Sequence, residues 1–363
     1  MLADLQLRNF RCFESLGVEF STGFNFFVGR NGQGKTSILE AACVLLRLQS
    51  QRGPTLGPIV RFGEKSFSVS GHSAGHLLEF RYSALRRKIA FDQVEQRTLE
   101  EYLQVARVVS FANTDIELVR GGSESRRRYL DFLGAQVDPL YRPTLRAYER
   151  ALRSRNALLK SPHPRPRELA AYDPPLLEHG AKLSAMRARL AGQLAPLATA
   201  AHREISVTGE RLEVEFSPGN GDDFARDLAN SRAQEARLRQ TVVGPHRDDL
   251  RILVEARAAN QYASEGQQRT VALALKIAQS RIFMMEEGTP PLLLIDDVFG
   301  ELDPVRRNSL LQHLPAEAQK LVTVTTMQWL ENGPEGPVSE LRDRTLVRRQ
   351  AVSRSGGLKP PTN

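Results

Sequence analysis

One short motif restricts the fold of this chain more than any other feature. Residues 29–36 read GRNGQGKT, which matches the pattern G-x-x-x-x-G-K-[ST] of a phosphate-binding loop. The apolar run from Phe24 to Val28 predicts a buried strand before the motif, and the spacing from Thr36 to Leu48 predicts a helix after it. Glycines let backbone N–H groups point at phosphate oxygens, and the helix N-terminus adds partial positive charge. The motif in this position predicts an α/β nucleotide-binding core.

The side chains of the motif suit a nucleoside triphosphate with a metal ion. Lys35 can bridge the β- and γ-phosphates, and the hydroxyl of Thr36 can take one coordination position of Mg²⁺. The sequence therefore predicts ATP and Mg²⁺ as cofactors. The predicted nucleotide contacts are Gly29, Arg30, Asn31, Gly32, Gln33, Gly34, Lys35 and Thr36.

A second apolar run ends in two carboxylates. Residues 292–295 predict a buried strand, and Asp296 and Asp297 follow it. The carboxyl ends of parallel strands face the nucleotide in folds of this kind, so we expect Asp296 to be a Mg²⁺ ligand. Asp297 lies one residue further and is the candidate for polarising the attacking water, which makes it and Lys35 the predicted catalytic residues. A solvated acidic turn is the alternative.

Residues 264–268, SEGQQ, offer a second place for phosphate oxygens. The Ser264 hydroxyl, the Gly266 backbone N–H and the Gln267 amide precede a predicted helix, 228 residues after Thr36. Because one ATP needs only one phosphate loop, this turn predicts a composite site completed by another subunit, although a plain helix N-cap is the more common explanation. Asp303, in the GELD segment after the acidic strand, either faces a dimer interface or caps a helix.

The net charge is concentrated in one region. The 363 residues contain 50 Lys and Arg against 42 Asp and Glu, a formal net charge of +8. Residues 120–190 hold 15 basic and 7 acidic residues, an excess equal to that of the whole chain. A basic region beside a neutral body is typical of nucleic-acid-binding proteins. The alternative is a set of Arg-rich surface helices in a chain with 42 Arg and 8 Lys.

Composition and length exclude several other classes. A hydrophobic fraction of 41% with 25% charged residues is typical of a globular protein, and the length suggests two or three lobes. No run approaches the roughly 18–20 apolar residues of a membrane span, and the charged N-terminal segment predicts no signal peptide. Cys12 and Cys43 form neither a disulfide framework nor a metal-ligand spacing, which favours the reducing cytoplasm.

Hydrophobic periodicity predicts an α/β body with a helical insertion. Residues 66–94 alternate as an antiparallel meander, and residues 126–206 have helical spacing that is interrupted at 161–175 by five of the 20 prolines. The predicted division is 1–125 for the first part of an ATPase domain with a β subdomain, 126–206 for an inserted helical hairpin lobe, 207–350 for the second part, and 351–363 for a disordered tail.

Together these motifs resemble the RecF family of recombination-repair ATPases, which are ABC-type ATPases related to SMC proteins. The resemblance extends to about residue 345, and GPHRDDL and IDDVFGELD are specific to RecF rather than to ABC ATPases at large. The matching strings are LRNFRCF at 7–13, GFNFFVGRNGQGKTSILEA at 23–41, GGSESRRRYLDF at 121–132, RSRNALL at 153–159, GPHRDDL at 244–250, YASEGQQRTVALALKIAQ at 262–279 and LLLIDDVFGELD at 292–303.

The resemblance implies an ABC-type P-loop ATPase head with an antiparallel β subdomain and the inserted α-helical hairpin lobe. It implies that Ser264, Gly266, Gln267 and Asp303 contact ATP held by a second subunit, so that ATP closes a homodimer. The family binds DNA, with single-stranded and gapped duplex DNA as its substrates, hydrolyses ATP slowly, and helps RecO and RecR to load RecA. We accordingly expect a cytoplasmic, DNA-dependent ATPase of weak activity that has no membrane partner.

The basic region supplies the predicted DNA contacts. We expect its arginines to bind phosphates rather than base edges, although Arg126 to Arg128 can instead pair with Glu124 and Asp131. The candidates are Arg126, Arg127, Arg128, Arg146, Arg150, Arg153 and Arg155.

Two segments depart from the family pattern. Residues 111–115, FANTD, have no proline and no glutamine, so their metal or water role stays open, and residues 324–326 lack the switch histidine of transporters. His313 lies too early for that role, and His246 is either catalytic or stabilises a turn. An ABC transporter ATPase is the alternative function. An SMC-like clamp is less consistent with helical runs of only about 25–30 residues, roughly 40 Å.

Overall fold

The computed structural model describes residues 1–53, 55–96, 99–162, 165–206, 209–327 and 334–349. Contacts divide the chain into two compact units, of which the first comprises 1–112, 290–301 and 315–363, and the second 113–289 and 302–314. The predicted helical lobe, 126–206, lies wholly within the second unit, and its limits stay a prediction. The predicted disordered tail, 351–363, lies outside the described residues.

The secondary structure contains the predicted strands and helices together with elements that were not predicted, among them the strands at 108–112, 338–342 and 345–349. Residues 1–112 contain β1 (Asp4–Phe10), β2 (Phe13–Glu19), β3 (Phe24–Val28), α1 (Lys35–Arg47), β4 (Ser66–Ser73), β5 (His76–Ser83), β6 (Arg87–Phe91), β7 (Val94–Glu95), α2 (Glu100–Gln104) and β8 (Val108–Ala112). Residues 113–289 contain α3 (Glu117–Arg120), α4 (Ser123–Val137), α5 (Tyr141–Leu159), α6 (Pro166–Ala170), α7 (Asp173–Ile205), β9 (Leu212–Ser217), α8 (Phe224–Asn230), α9 (Arg232–Leu238), β10 (Asp249–Val254), β11 (Arg257–Ala258), α10 (Ala259–Tyr262) and α11 (Glu265–Glu287). The remaining elements are β12 (Leu292–Asp296), α12 (Pro304–His313), β13 (Lys320–Val324), β14 (Val338–Arg342) and β15 (Thr345–Arg349).

A mainly parallel sheet forms the core of the first unit. Over the described residues its strand order is β15-β14-β3-β13-β12-β8, and every neighbouring pair is parallel except β14 and β15. Strand β13 lies between β3 and β12, and Asp296 pairs in register with Thr323. The phosphate loop after β3 and the carboxylates after β12 therefore lie at the same edge of the sheet, as the sequence predicted.

An antiparallel sheet forms the rest of the first unit. Its order is β2-β1-β4-β5-β6-β7 in the part of the chain that the structure describes, which confirms the predicted meander at 66–94. Helix α1 contacts strands of both sheets, and all its side chains from Ser37 to Arg47 are buried. A helix that is buried on all sides is fixed in position, and α1 thereby fixes the phosphate loop at its N-terminus.

The second unit consists mostly of helices. The 33-residue α7 packs against α5, α11 and β9, and the strands β11, β10 and β9 form a small antiparallel sheet. The predicted break between the two long helices is confirmed, since α5 ends at Leu159 and α7 begins at Asp173 with prolines in its first turn. No helix among the described residues is long and apolar enough to cross a membrane.

Candidate functional site

The phosphate loop has a backbone conformation that requires glycine. Gly34 has a φ of 104° and is the N-cap of α1. A Cβ atom at this position would lie 2.6 Å from Cζ of Phe13 and 2.7 Å from Sγ of Cys12. Because both the backbone angle and the neighbouring atoms exclude a side chain, the loop can bring its N–H groups close to a bound anion.

Lys35 is folded back over the loop that precedes it. Its ammonium group donates hydrogen bonds to the carbonyl oxygens of Gly29, at 2.5 Å, and Arg30, at 3.2 Å. Burial lowers the pKa of Lys35, while the nearby carboxylates of Asp297 and Asp296 oppose this shift. The side chain thus places a cation inside the loop of residues 29–36.

Asp296 joins the loop to the neighbouring strand. Its Oδ1 accepts hydrogen bonds from the hydroxyl of Thr36 and from the hydroxyl of Thr323, each at 2.7 Å. The guanidinium of Arg52 lies 3.8 Å from the other carboxylate oxygen. Thr36 and Asp296 therefore present adjacent oxygen atoms, the ligand type that Mg²⁺ prefers.

The site has few protein ligands for a metal ion. No group of three or more His, Cys, Asp or Glu residues within the described ranges could hold one. Mg²⁺ in nucleotide sites characteristically uses one or two protein ligands together with phosphate oxygens and water. The pair of Thr36 and Asp296 fits such a site when a nucleotide is bound.

Asp297 is held beside Asp296 by its backbone. Its backbone adopts a φ of 55°, and its N–H donates to the carbonyl and hydroxyl oxygens of Thr323 at 3.1 and 3.0 Å. Burial raises the pKa of Asp297, and Lys35 partly counteracts this effect. A carboxylate with a raised pKa accepts a proton more readily than an ordinary aspartate, which suits activation of water.

These residues line one cavity of about 930 Å³. The phosphate loop, Asp296 and Asp297 form its polar part, and Pro58, Val60 and Phe62 contribute an apolar wall. Phe62 is fully exposed. An apolar wall next to a phosphate site suits a flat, aromatic base as well as a polyphosphate.

Arg11 is one of the cations of this cavity that sequence reasoning missed. Its guanidinium donates to both carboxylate oxygens of Glu40 at 2.7 Å and to the carbonyl of Pro58 at 2.9 Å. Glu40 is completely buried in α1. The signal in the sequence was a glutamate among the apolar residues of that helix, which requires a buried partner.

The turn that begins α11 is a complete helix cap. The Ser264 hydroxyl accepts a hydrogen bond from the Gln267 N–H at 3.3 Å, and the Gln267 side chain accepts one from the Ser264 N–H at 2.7 Å. The Gln267 amide also donates to Glu210 at 2.7 Å. The predicted capping function is therefore present, and Ser264 is still exposed for a further contact.

Asp303 is connected to the same turn by Arg306, which was not identified as a site residue from the sequence. Asp303 is the N-cap of α12 and accepts hydrogen bonds from the Arg306 N–H at 3.0 Å and from its guanidinium at 2.6 Å. Arg306 also donates to Thr270 at 3.2 Å. A Cβ atom at Gly266 would lie 3.5 Å from this guanidinium. The structure thus brings Gly266 and Asp303 together.

The structure shows which candidate DNA-binding arginines have protein partners and which are exposed. Arg126 donates to both oxygens of Asp249, at 2.7 and 3.0 Å, Arg127 donates to the carbonyl of Asp248, and Arg128 pairs with Glu124. The predicted pairing with Glu124 is thus confirmed, whereas the pairing with Asp131 is wrong, since that carboxylate accepts hydrogen bonds from Arg187. The exposed members are Arg128 on α4 and Arg146, Arg150 and Arg153 on α5, and of these Arg153 also pairs with Glu149 of its own helix at 3.5 Å.

The prediction for Arg155 is wrong. Its side chain is completely buried, and its guanidinium donates to both carboxylate oxygens of Glu235, at 2.8 and 2.7 Å, and to Asp173 and Thr241. Because the guanidinium makes these contacts inside the unit, it does not reach a DNA phosphate. A helical period places Arg155 on the apolar side of α5, facing α7 rather than solvent.

His246 stabilises a turn. Its Nδ1 lies 2.7 Å from the hydroxyl of Tyr148, and its Nε2 lies 2.9 Å from the carbonyl oxygen of Thr241. Burial lowers the pKa of His246 to about 4, so the ring is neutral at physiological pH. Both ring nitrogens are used within the fold, which favours the structural alternative.

Two further residues left open by the sequence have partners inside the second unit. Asp115 lies in a short 3₁₀ helix and forms an ion pair of 3.0 Å with Lys276 of α11. His313 is the last residue of α12, and its Nδ1 lies 2.8 Å from the carbonyl oxygen of Ser309. The ion pair of Asp115 and the contact of His313 give both side chains a structural explanation.

Comparison with known proteins gives a consistent result. A family model described as the RecF/RecN/SMC N terminal domain matches residues 1–336. The DNA replication and repair protein RecF of Symbiobacterium thermophilum is 38% identical over 344 residues, which cover 90% of this chain and 92% of that protein. The RecF protein of Gloeothece citriformis is 35% identical over 367 residues, with coverage of 91% and 94%.

Solved structures agree with this assignment. The recombination mediator protein RecF-ATPrS in the RecFOR pathway has a TM-score of 0.87 and 30% identity, and the similarity covers 96% of this chain and 98% of that chain. An Smc head bound to the C-terminal winged-helix domain of ScpA has a TM-score of 0.58 at 15% identity, which shows a shared fold. The predicted ABC-type ATPase head is thereby confirmed.

Proposed function

The chain belongs to the RecF family, and on that premise we propose that it is an ATP-binding protein of DNA replication and repair that forms a homodimer around ATP·Mg²⁺ on DNA. The observation that carries this proposal is the convergence of Lys35, Thr36, Asp296 and Asp297 on one cavity. The transporter alternative has no comparable support, since the relatives with high coverage are RecF proteins.

The phosphate loop binds the triphosphate in this proposal. The N–H groups at the start of α1 and the ammonium of Lys35 bind phosphate oxygens, while the hydroxyl of Thr36 and the carboxylate of Asp296 hold Mg²⁺. The metal ion withdraws negative charge from the β- and γ-phosphates when it is bound. The apolar wall with Phe62 accommodates the base, which favours ATP over an inorganic polyphosphate.

Asp297 orients and deprotonates the attacking water. Its raised pKa supports this role, and its backbone is fixed by two hydrogen bonds to Thr323. We expect slow, DNA-dependent hydrolysis, with ATP acting mainly as a switch between monomer and dimer.

A second copy completes the site. Its Ser264 hydroxyl, Gly266 N–H and Gln267 side chain, together with Asp303, contact the γ-phosphate region from the opposite side. Two features support this role: the exposure of Ser264 at the start of the 23-residue α11, and the proximity of Gly266 to Asp303 through Arg306. The capping box makes this turn rigid before a partner arrives.

DNA binds through phosphate contacts to the basic second unit. The exposed arginines, Arg128 of α4 and Arg146, Arg150 and Arg153 of α5, are the remaining candidates, because their side chains are accessible. In this proposal the protein acts in the cytoplasm at single-strand gaps, where RecR and RecO assist and RecA is loaded. The inserted lobe of 126–206 is the part of the chain that gives the ATPase head this DNA-binding surface.

Sedimentation velocity with a fluorescent gapped duplex tests the proposal directly. The protein should be a monomer alone and a DNA-bound dimer with ATP·Mg²⁺, and the logarithm of its DNA affinity should fall with the logarithm of salt concentration by about 0.9 per phosphate contact. Replacing Arg146 and Arg150 by Ala should reduce this slope by about 1.8. Binding that ignores salt, or a monomer that persists with ATP and DNA, would contradict the proposal.

A further inference from the structure

The hairpin of β14 and β15 has a strained turn. Arg342 pairs with Thr345, so Asp343 and Arg344 alone form the two-residue loop, with φ values of 47° and 64°. A two-residue turn with both φ values positive strongly prefers glycine at its second position. An arginine here retains a left-handed backbone that its Cβ atom disfavours.

This strained turn lies on the nucleotide cavity. The backbone N–H of Arg344 donates a hydrogen bond of 3.3 Å to the side chain of Gln33, which belongs to the phosphate loop. Arg344 also lines the cavity together with Lys35 and Thr36. Strand β14 pairs in parallel with β3, the strand that leads into the loop, so the sheet itself fixes the hairpin beside the site.

The fold does not account for the guanidinium of Arg344. The side chain is exposed, and no carboxylate in the described part of the chain lies within ion-pair distance of it. Its neighbour Arg342, by contrast, donates to Glu340 at 2.7 Å and does not line the cavity. Two other hairpins of the chain have the same left-handed turn, at Asp92–Gln93 and Glu255–Ala256, and neither lines the cavity, so the position and the charge of Arg344 distinguish it rather than the strain alone.

From the position on the cavity and the unpaired charge together, we infer that Arg344 is a nucleotide-binding residue. Its guanidinium binds the polyphosphate of a nucleoside triphosphate from the same subunit, opposite the cation of Lys35. This inference rests on the proposed ATP site and adds a contact that no motif in the sequence indicates. It makes the C-terminal hairpin part of the nucleotide site.

The test compares three variants of the full chain by calorimetric titration with ATP·Mg²⁺ and with inorganic tripolyphosphate, and by thermal unfolding. Arg344→Gly removes the guanidinium and relieves the strain, Arg344→Lys keeps a cation, and Arg342→Ala is the matched control on the same hairpin. We expect Arg344→Gly to weaken both ligands about tenfold, since a charge-assisted phosphate contact is lost. Its melting temperature should nevertheless rise by about 2 °C. Arg344→Lys should recover part of the affinity, and Arg342→Ala should leave it unchanged.

The combination of weaker binding and higher stability separates a ligand contact from a structural role. If Arg344→Gly binds both ligands as tightly as the wild type, the inference is wrong while the ATP site stands. A variant that loses affinity because it is less stable also overturns it, since the side chain would then support the fold. If the wild type binds neither ligand, the proposed ATP site itself fails.

Discussion

Helices α1 and α11 both begin at a turn that suits phosphate, but their N-termini are completed in different ways. At α1 the N-cap is Gly34, and no side chain caps the helix within the described part of the chain. At α11 the N-cap is Ser264, and a capping box satisfies two backbone N–H groups. The start of α1 therefore leaves backbone N–H groups for a ligand to bind, whereas two N–H groups at the start of α11 already have side-chain partners.

This difference indicates that the two helix N-termini have separate functions. An uncapped, glycine-lined terminus with a buried cation gains most from an anion, so it is the primary binding site. A rigid, capped terminus offers a preformed surface that binds with little loss of entropy when a second copy approaches. Changes at the first terminus should act on nucleotide binding or chemistry, and changes at the second on dimerisation.

The largest effect is expected for Asp297→Asn, which tests whether the chemistry belongs to the α1 site. Loss of the general base should reduce kcat for ATP hydrolysis by about 100- to 1,000-fold. ATP affinity should be unchanged or higher, because a negative charge near the phosphates is removed. The exposed acid Glu64, which does not line the cavity, provides the control Glu64→Gln.

The pH profile gives a second readout of the same variant. Burial raises the pKa of Asp297, so the deprotonated base forms only above a pKa that is higher than that of an ordinary aspartate. The wild-type rate should therefore increase with pH through this raised value, and the increase should be absent from the residual rate of Asp297→Asn. An unchanged profile in the variant would assign the base to another residue.

The second-largest effect is expected for Lys35→Met, which should weaken ATP binding rather than slow the chemical step. Removing the ammonium should weaken ATP binding about 100-fold, because charge-assisted contacts to phosphate are lost. ATP-driven dimerisation, measured by sedimentation velocity, should disappear while circular dichroism shows a folded monomer. Lys65→Met, an exposed lysine outside the cavity, is the control. A Lys35→Met protein that still dimerises with ATP would show that the phosphate assignment is wrong.

The α1 site was predictable because its chemistry is local in the sequence. The strand, the glycine loop and the helix are consecutive in the sequence. The second apolar strand ends in two acids, and in a parallel sheet these acids lie at the same edge as the glycine loop. Asp296 and Thr36 are 260 residues apart, and their contact follows from the rule that carboxyl ends of parallel strands share one edge.

Other features depend on tertiary contacts that no pattern in a single sequence displays. The prediction for Arg155 failed because charge alone does not distinguish an exposed arginine from one buried against Glu235, 80 residues away. Arg344 reaches the cavity only because β14 pairs with β3. Arg306 was missed for the same reason, since its contact with Gly266 crosses 40 residues of sequence.

Ser264→Arg tests whether the turn at the start of α11 contributes to dimerisation. A long cation in place of the cap should block the approach of a second copy and weaken ATP-driven dimerisation at least about tenfold, without changing ATP affinity of the monomer by more than about twofold. The lost cap should also cost about 1 kcal/mol of stability. Asp223→Ala removes the cap of α8 in the same unit, so it provides a control for that stability loss. Loss of ATP binding by the Ser264→Arg monomer would contradict a site completed in trans.

Adding one methyl group to each turn gives the most discriminating comparison of the two. Gly34→Ala places a Cβ atom 2.6 Å from Phe13 at a φ of 104°, so it should reduce the free energy of unfolding by about 1–3 kcal/mol. Gly266→Ala meets only the Arg306 guanidinium at 3.5 Å and lies in the first turn of α11, so it should raise the monomer's stability by about 0.5 kcal/mol. In the dimer the same methyl group should hinder the close approach of a phosphate and weaken association several-fold, as measured by sedimentation. If Gly266→Ala is more stable and dimerises like the wild type, the α11 turn acts only as a helix cap and does not contact the nucleotide of a second copy.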